Sequence, residues 1–212
     1  MENRTNKLNY TELKDNIEAK LWGIKYYSDW GNKYINNMKV ANQFINKSYI
    51  TNPIEYYCGE AYTWINTYLR YGIDKSDGKI YPEISDILTI ILSMAPRVPE
   101  DIVAYRLVCD EFIEELIRNN KKEIPTQEKG FLSTSLTKNI VNSNEYYSNH
   151  KNLLKIYVEA KSIGIYVNSV IKRTENELLL APNGYLKLIN YPYKENDKIV
   201  YECNLIYMNY FN

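Results

Sequence analysis

Residues 175–189 read ENELLLAPNGYLKLI, in which two short apolar runs flank the tripeptide Pro182-Asn183-Gly184. Runs of this length are typical of β-strands, and a Pro-Asn-Gly turn between two of them predicts a β-hairpin. Two glutamates stand directly before the first run. Side chains two residues apart project from one face of an extended backbone, so Glu175 and Glu177 are expected to point the same way.

Similar strand-like segments fill the rest of the second half of the chain. They are DIVAYRLV (101–108), GFLSTSL (130–136), LLKIYVEA (153–160), IGIYV (163–167) and IVYECNLIYM (199–208). Apolar periodicity over 112–117 predicts a helix after the first of them. The polar run RNNKKEIPTQEKG, residues 118–130, is expected to be a loop.

The first half of the chain is predicted to be helical. One amphipathic helix, with Thr11 as its N-cap, is predicted by apolar residues spaced three and four apart, Leu13, Ile17, Leu21 and Ile24. Residues 33–46 form a weaker helical segment. Asn52-Pro53 predicts the start of a further helix that ends at Gly72, and the pattern from Pro82 to Met94 predicts another.

The order of these elements indicates the fold class. Helices precede the strands instead of alternating with them, which favours an α+β fold with a largely antiparallel sheet over a doubly wound one. Neither an internal repeat nor a low-complexity linker is present. We therefore expect one domain over residues 1–212, with a mainly helical part at 1–98 and a strand-rich catalytic part at 99–212.

The composition argues against several classes of function. The 212-residue chain has 26 Lys and Arg residues and 26 Asp and Glu residues, so it has no overall basic character to attract nucleic acid or an anionic membrane. No apolar run approaches the ~20 residues of a membrane span. The N-terminus lacks the apolar core of a signal peptide, so either the chain stays in the cytosol or a leader has been removed.

Several kinds of catalytic or metal site also lack their residues. His150 is the only histidine, which excludes a multi-histidine metal site. Cys58, Cys109 and Cys203 are widely spaced without a CxxC pair and are expected to be free thiols. There is no glycine-rich nucleotide-binding motif. An enzyme built from this chain must work with carboxylates, hydroxyls, tyrosines, arginine and lysine, and no metal site is predicted.

Three short elements remain as candidates for chemistry. Arg106 lies in AYR near the end of one predicted strand, Ser133-Thr134-Ser135 lies in GFLSTSL, and Glu175-Asn176-Glu177 opens ENELLL. Two neighbouring carboxylates repel each other, so such a pair at a strand start indicates a functional purpose. In this order the elements resemble the Arg, S-T-S and E-x-E motifs of bacterial toxin mono-ADP-ribosyltransferases, with the nearest similarity to clostridial single-domain and binary-toxin enzymes.

This resemblance implies a fold and a reaction. The implied fold has N-terminal helices followed by a mixed, mainly antiparallel two-sheet β core. The implied reaction cleaves the nicotinamide–ribose bond of the co-substrate NAD through an oxocarbenium-like transition state and transfers ADP-ribose to an arginine of a target protein. Relatives that modify asparagine carry Gln at the position of Glu175, so the resemblance favours arginine as acceptor.

The resemblance also implies roles for individual residues. Glu177 would bind the ribose and stabilise the developing positive charge, and Ser133 would hold Glu177 in position. Glu175 would orient and deprotonate the acceptor guanidinium. Arg106 would bind the phosphate-bearing side of NAD.

Further residues are implied at the NAD site by their positions, namely Thr134, Ser135, Tyr62, Asn66, Lys155 and Tyr147. Thr134 and Ser135 are expected mainly to maintain the strand and the wall of the site, and a core or surface role fits Tyr147 as well as a functional one. Tyr62 and Asn66, four apart on a helix, resemble NAD-contacting residues of relatives, although a core or surface role fits them equally. Lys155 stands where related toxins place a phosphate-binding arginine. Tyr147 stands where an aromatic ring stacks on nicotinamide.

Two departures and two alternatives accompany this interpretation. Leu107 replaces a second arginine of actin-modifying relatives, and the loop SVIKRT (169–174) lacks an aromatic residue that some toxins use to engage their target.

The alternatives are an NAD glycohydrolase, with water as acceptor, and a catalytically silent interaction domain. The implied partners are a host target protein, actin or another, and a translocation component, for a toxin secreted by a bacterium and acting in the host cytosol.

Overall fold

The computed structural model describes residues 9–44, 52–76, 80–142 and 149–208. The helices are α1 (Asn16–Phe44), α2 (Pro53–Tyr56), α3 (Tyr62–Tyr71), α4 (Ile80–Met94) and α5 (Asp110–Asn120), with a π-helical turn (Tyr57–Ala61) between α2 and α3. The strands are β1 (Ile102–Val108), β2 (Thr126–Glu128), β3 (Leu132–Ser135), β4 (Asn152–Val158), β5 (Gly164–Tyr166), β6 (Glu177–Leu180), β7 (Gly184–Leu188), β8 (Tyr193–Glu195) and β9 (Lys198–Ile206).

The strands of the described residues lie in the order β2-β7-β9-β4-β1-β3-β6-β5, and β8 pairs with β9. Strands β4 and β9 run parallel, whereas the other neighbours run antiparallel. Tyr105 and Ser135 form the one register pair described between β1 and β3. The sheet therefore has two halves joined at this pair. The expected α+β fold, with N-terminal helices and a mixed, mainly antiparallel two-sheet core, is confirmed.

Helices cover the two faces of the sheet. Buried side chains of α1 and α5, such as Trp22 and Leu116, pack on one face. The segment from α2 to α4 packs on the other face of the β3-β6-β5 half, where Leu179 is buried. A third cluster around Tyr105 and Tyr157 covers that same face over β1 and β4. No helix in the described ranges is long and apolar enough to cross a membrane.

Helix α1 exists, but the apolar stripe predicted for it is wrong. Ile17 is 71% exposed and Leu21 is 62% exposed. The buried face instead carries Ala19, Trp22 and Tyr27. Small and aromatic side chains fit this close packing, while the aliphatic spacing follows the solvent side of the helix. The weaker segment predicted at 33–46 continues α1 as far as Phe44.

The predicted cap of this helix is also wrong. Asp15 caps α1, because its Oδ1 accepts hydrogen bonds from the backbone N–H groups of Ile17 (2.8 Å) and Glu18 (2.9 Å). Thr11 instead forms a parallel β-bridge with Ile102. The chain before α1 is thus tied to the first strand, and the helix starts only after it.

The start predicted at Asn52-Pro53 is confirmed. Asn52 Oδ1 accepts hydrogen bonds from the N–H groups of Ile54 and Glu55, and Gly72 ends α3 in the left-handed conformation with φ +70°. The helical path is interrupted, however, at the π-helical turn, where Gly59 has φ −81° and ψ −130°.

The hairpin predicted at Pro182-Asn183-Gly184 is wrong in its pairing. A turn is present, with Asn183 at φ +64°. However, β6 pairs with β3 and β5, whereas β7 pairs with β2 and β9. The turn therefore carries the chain from one half of the sheet to the other. Strand β2 lies inside the segment predicted as loop, and β8 was not predicted, because both are short and largely polar, with the sequences TQE and YKE.

Close packing of α1 on the sheet depends on two glycines. A Cβ atom at Gly23 would lie 2.2 Å from the ring of Tyr166, and one at Gly31 would lie 2.3 Å from the carbonyl oxygen of Ser169. Both distances are much shorter than van der Waals contact. Tyr166 is buried and donates a hydrogen bond of 2.7 Å to Asn176 Oδ1. Helix α1 therefore supports the segment that contains Asn176.

We predict that Gly23→Ala destabilises the fold by about 1–2 kcal/mol, since displacing Tyr166 to admit the added methyl group costs about 2–3 kcal/mol. The ~1 kcal/mol that alanine gains over glycine in a helix offsets only part of this cost. Urea unfolding measures the difference. Leu21→Ala, on the exposed side of α1, is the control and should change stability by less than about 0.5 kcal/mol. A Gly23→Ala protein as stable as the wild type would contradict the packing described.

Candidate functional site

The three candidate elements lie on adjacent strands. Ser135 pairs with Tyr105 of β1 on one side and with Glu177 of β6 on the other. Tyr105 pairs in turn with Lys155 of β4. Directly paired residues share a face of a sheet, so these four side chains form a row across β6, β3, β1 and β4. On this face, the row runs from the cluster packed under α2–α4, over β6, to the cluster around Tyr105, over β1 and β4.

A buried hydrogen bond forms the centre of the site. Ser133 Oγ donates to Glu177 Oε1 at 2.5 Å. Glu177 is only 3% exposed. Its backbone N–H donates to Asn168 Oδ1 at 3.3 Å, and Leu136 N–H donates to the carbonyl of Asn176 at 2.9 Å. Side chain and backbone of Glu177 are therefore both held in a defined position at the start of β6.

Arg106 reaches the same place from β1. Its Nη1 donates to the carbonyl oxygen of Ser133 at 3.0 Å. The register pair between Tyr105 and Ser135 lies one residue before Arg106, and the two strands separate beyond it. The guanidinium enters this opening and contributes positive charge at the Glu177 carboxylate. Arg106 and Ser133 are thus brought together with Glu177, as the sequence predicted.

Arg173 is a site residue that the sequence analysis missed. Its Nε lies 3.2 Å from Glu177 Oε2, and its Nη1 donates to the carbonyl oxygen of Cys58 at 2.6 Å. It belongs to the loop SVIKRT, which the sequence analysis considered only for its lack of an aromatic residue. A cation four residues before a carboxylate at a strand start was the available signal.

Burial raises the pKa of Glu177 above the ordinary value of a glutamate. Arg173, the hydrogen bond from Ser133 and Arg106 each lower the pKa, but desolvation is the largest effect. Burial likewise raises the pKa of Tyr57 and of Cys58 well above their ordinary values, and the Glu177 carboxylate adds to both shifts. Tyr57 and Cys58 are therefore neutral neighbours of Glu177 at physiological pH.

Glu175 stands just outside the sheet. It is half-buried and precedes β6 by two residues. Between the two glutamates, Asn176 is buried, with its amide group donating to Asn16 Oδ1 at 3.2 Å. Because this middle residue turns towards α1, we expect Glu175 and Glu177 to project together from the other side.

Thr134 and Ser135 use their hydroxyl groups within the fold. Thr134 Oγ1 donates to the carbonyl of Leu178 at 2.7 Å, and Ser135 Oγ donates to the carbonyl of Thr137 at 2.9 Å. These bonds hold β3 to β6 and shape the turn after β3. Their contact with NAD remains a prediction.

The two residues predicted on α3 have different environments. Asn66 is 3% exposed, and its Oδ1 accepts from Phe131 N–H at 2.9 Å while its Nδ2 donates to Tyr57 Oη at 3.1 Å. It fixes the segment that leads into β3. Tyr62 is 51% exposed and thus accessible. A role of either residue in binding NAD remains a prediction.

Lys155 lies at the far end of the row. Its Nζ forms an ion pair of 2.5 Å with Glu12 Oε2, and the hydroxyl of Tyr105 also bonds Glu12. Lys155 is separated from Glu177 by three strand spacings, about 14 Å. This distance suits opposite ends of a dinucleotide-sized ligand. Tyr147, predicted to stack on nicotinamide, lies outside the described residues.

The donor set of this site fits a dinucleotide better than a metal ion. Among the described residues, Glu177 Oε2 is buried and accepts no regular hydrogen bond, so it can receive one from a ligand hydroxyl. Arg106 offers a charged, planar group that suits a phosphate. In the same described part of the chain, no cluster of three or more His, Cys, Asp or Glu residues could hold a metal.

Comparisons with known proteins give a family and a fold for the chain. A family model described as ADP-ribosyltransferase exoenzyme matches residues 19–200. No curated protein matches the chain with significant sequence similarity.

Several solved structures share the fold at low sequence identity. The ADP-ribosylating toxin BECa of a binary enterotoxin of C. perfringens, solved with NADH, has a TM-score of 0.72 and 22% identity over 93% of this chain and 50% of that chain. This chain thus spans half the length of that toxin. Plx2a, a toxin from Paenibacillus larvae, has a TM-score of 0.68 and 20% identity over 93% of this chain and 100% of that chain. C3stau2 from S. aureus, solved with NAD, has a TM-score of 0.64 and 18% identity over 93% of this chain and 99% of that chain.

We predict that Glu177→Gln is more stable than the wild type at pH 7, by about 0.5–2 kcal/mol, the range typical of a relieved functional site. The folded-state pKa of Glu177 is raised, so the wild-type fold loses stability as the pH rises from the ordinary glutamate value through the folded pKa. Glutamine does not titrate, and the difference should therefore vanish below about pH 4.

Urea unfolding at pH 7 and at pH 3.5 measures this effect. Glu114→Gln, which neutralises an exposed carboxylate on α5, is the control and should show no comparable difference. A Glu177→Gln protein less stable than the wild type at both pH values would show that the carboxylate stabilises the fold.

Proposed function

Because the chain belongs to the ADP-ribosyltransferase exoenzyme family, we propose that it transfers ADP-ribose from NAD to an arginine of a host protein and releases nicotinamide. The observation that carries this proposal is the buried Ser133–Glu177 hydrogen bond with Arg106 beside it. The NADH and NAD in the structures of the C. perfringens toxin and C3stau2 support NAD as the co-substrate.

Glu177 is proposed as the carboxylate that acts on the ribose. Bound NAD supplies a glycosidic bond whose cleavage builds positive charge on the ribose. A fixed carboxylate stabilises such charge without reorganising, because it is already held in place. Ser133 fixes Oε1 of Glu177, while Oε2 is ion-paired with Arg173 but accepts no hydrogen bond, so it still offers a lone pair to a ribose hydroxyl.

Glu175 is proposed to receive the acceptor arginine. A carboxylate can bind a guanidinium through two parallel hydrogen bonds and can remove its proton. Glu175 stands outside the sheet, half-buried, where a protein side chain can approach it. Arg106 is proposed to bind the phosphates of NAD, with Lys155, Tyr62, Asn66, Thr134 and Ser135 as further residues of the NAD site.

The biological setting of this activity is also a proposal. The acceptor protein would be actin or another host protein, and the single domain of residues 1–212 would act in the host cytosol after secretion by a bacterium. The C. perfringens relative is part of a binary enterotoxin and a C. botulinum relative is the enzymatic component of the C2 toxin, and by analogy a separate translocation component is proposed for this chain.

Glu177→Ala is expected to lower both nicotinamide release and labelling of a target protein by about 10³-fold, because the charge on the ribose loses its stabilising carboxylate. The measurement uses NAD with a radiolabelled ADP-ribose moiety and a host-cell lysate. Glu114→Ala serves as the matched control. Full activity of Glu177→Ala would remove Glu177 from the mechanism.

Glu175→Gln is expected to lower transfer to protein by about 10²-fold and to spare NAD hydrolysis, because water does not need its proton removed by this residue. The ratio of protein label to released nicotinamide measures the effect, and mass spectrometry of the labelled protein identifies the acceptor residue. Equal loss of both reactions would contradict the division of roles. Nicotinamide release without label on any protein would identify an NAD glycohydrolase.

A further inference from the structure

Arg173 connects the Glu177 carboxylate to the π-helical turn Tyr57–Ala61. One guanidinium nitrogen, Nε, lies 3.2 Å from Glu177 Oε2, and another, Nη1, donates to the carbonyl of Cys58 at 2.6 Å. The side chain of Arg173 is 29% exposed, whereas that of Glu177 is 4% exposed. The cation is therefore held at two points while the carboxylate beneath it is buried.

We propose that Arg173 is a positioning residue that keeps the Glu177 carboxylate ionised and fixed for NAD cleavage. This inference rests on the proposed function, since it assigns Arg173 a role through Glu177. Ser133 donates a hydrogen bond to Oε1 and the cation of Arg173 lies beside Oε2, so each carboxylate oxygen has a partner on a different segment of the chain.

Charge at the site makes Arg173 the main cation for this task. The groups with an electrostatic effect at Glu177 are Ser133 of β3, Arg106 of β1, Arg173 of its own loop, and Tyr57 and Cys58 of the π-helical turn. The carboxylate of Glu175, two residues away, is expected to project from the same side and adds no positive charge. Tyr57 and Cys58 are neutral, and Ser133 carries no charge. Of the two arginines, Arg173 lowers the pKa of Glu177 more than Arg106 does. A buried carboxylate that loses its main cation gains a proton more readily.

Two further contacts fix Arg173 itself. The helical backbone is broken at Gly59, next to Cys58, and carbonyl groups at such a break need donors from elsewhere. Arg173 provides one such donor, to the carbonyl of Cys58. At the other end of the loop, Asn168 Nδ2 donates to the carbonyl of Arg173 at 2.9 Å, while its Oδ1 accepts from Glu177 N–H. Asn168 thus fixes the separation between Arg173 and Glu177 in the backbone.

The test compares Arg173→Gln, Arg173→Met and Arg173→Lys with the wild-type chain. The variant Lys172→Gln is the matched control, because Lys172 is an exposed cation next to Arg173 in the chain. Both side chains line a surface cleft of about 660 Å³. For each protein, kcat and KM for nicotinamide release are measured from pH 5 to pH 9, and the Tm is recorded.

In both neutral variants, kcat at pH 6 should fall about tenfold, while kcat at pH 9 should stay within about twofold of the wild type. The rate depends on ionised Glu177, and without Arg173 the carboxylate is ionised only at higher pH. KM for NAD should change little. Arg173→Lys, which keeps the charge, should restore most of the activity at pH 6, and Lys172→Gln should match the wild type throughout.

Other results would overturn the inference. An unchanged pH profile in the neutral variants, or a loss of kcat that is equal at all pH values, would mean that Arg173 does not act on the ionisation of Glu177. Failure of both neutral variants to fold, with Arg173→Lys folded, would give Arg173 a structural role only. Failure of the proposed function is distinguishable, because the wild-type chain itself would then release no nicotinamide.

Discussion

The buried carboxylate of Glu177 is the constraint around which the other parts of the site are arranged. An ionised group removed from water costs several kcal/mol unless partners compensate for its lost hydration. Here the partners come from three places in the chain: Ser133 on β3, Arg106 on β1 and Arg173 in the loop before β6. Their combined effect does not restore an ordinary pKa. Such incomplete compensation is typical of functional sites, where a reactive group matters more than a stable one.

The sheet makes this arrangement possible through its division into two halves. Where β1 and β3 separate after the Tyr105–Ser135 pair, the gap admits the side chain of Arg106 to the carbonyl of Ser133. A continuous ladder would have closed that gap with backbone hydrogen bonds. Helix α1 stabilises the β3-β6-β5 half of the sheet, because its close approach at Gly23 packs against Tyr166. Tyr166 in turn donates a hydrogen bond to Asn176, the residue between the two glutamates.

The sequence indicated those features that short-range patterns encode. Strand segments and the helix start at Asn52 follow from local composition, whereas the grouping of Arg106, Ser133 and Glu177 was implied by the resemblance of their motifs to those of the toxin enzymes. The buried face of α1 was not predictable in this way, since its packing depends on a glycine against Tyr166 rather than on aliphatic spacing. The turn at Asn183 has a hairpin sequence, but the pairing of β6 and β7 with other strands decides its role. The role of Arg173 was not predictable either, because it depends on contacts with Cys58 and Glu177 that form only in the folded chain.

The different settings of the two glutamates match the two tasks proposed for them. Glu177 belongs to β6 and is held by backbone and side-chain bonds, which suits a step that needs a charge at a fixed point on NAD. Glu175 precedes the strand and is only half-buried, a setting that suits the proposed contact with the side chain of a separate protein. A rigid acceptor carboxylate would demand one docking geometry, and a loose ribose carboxylate would lose preorganisation. In the proposed mechanism, the boundary between loop and strand, which falls within Glu175-Asn176-Glu177, would therefore separate the recognition of the acceptor from the cleavage of NAD.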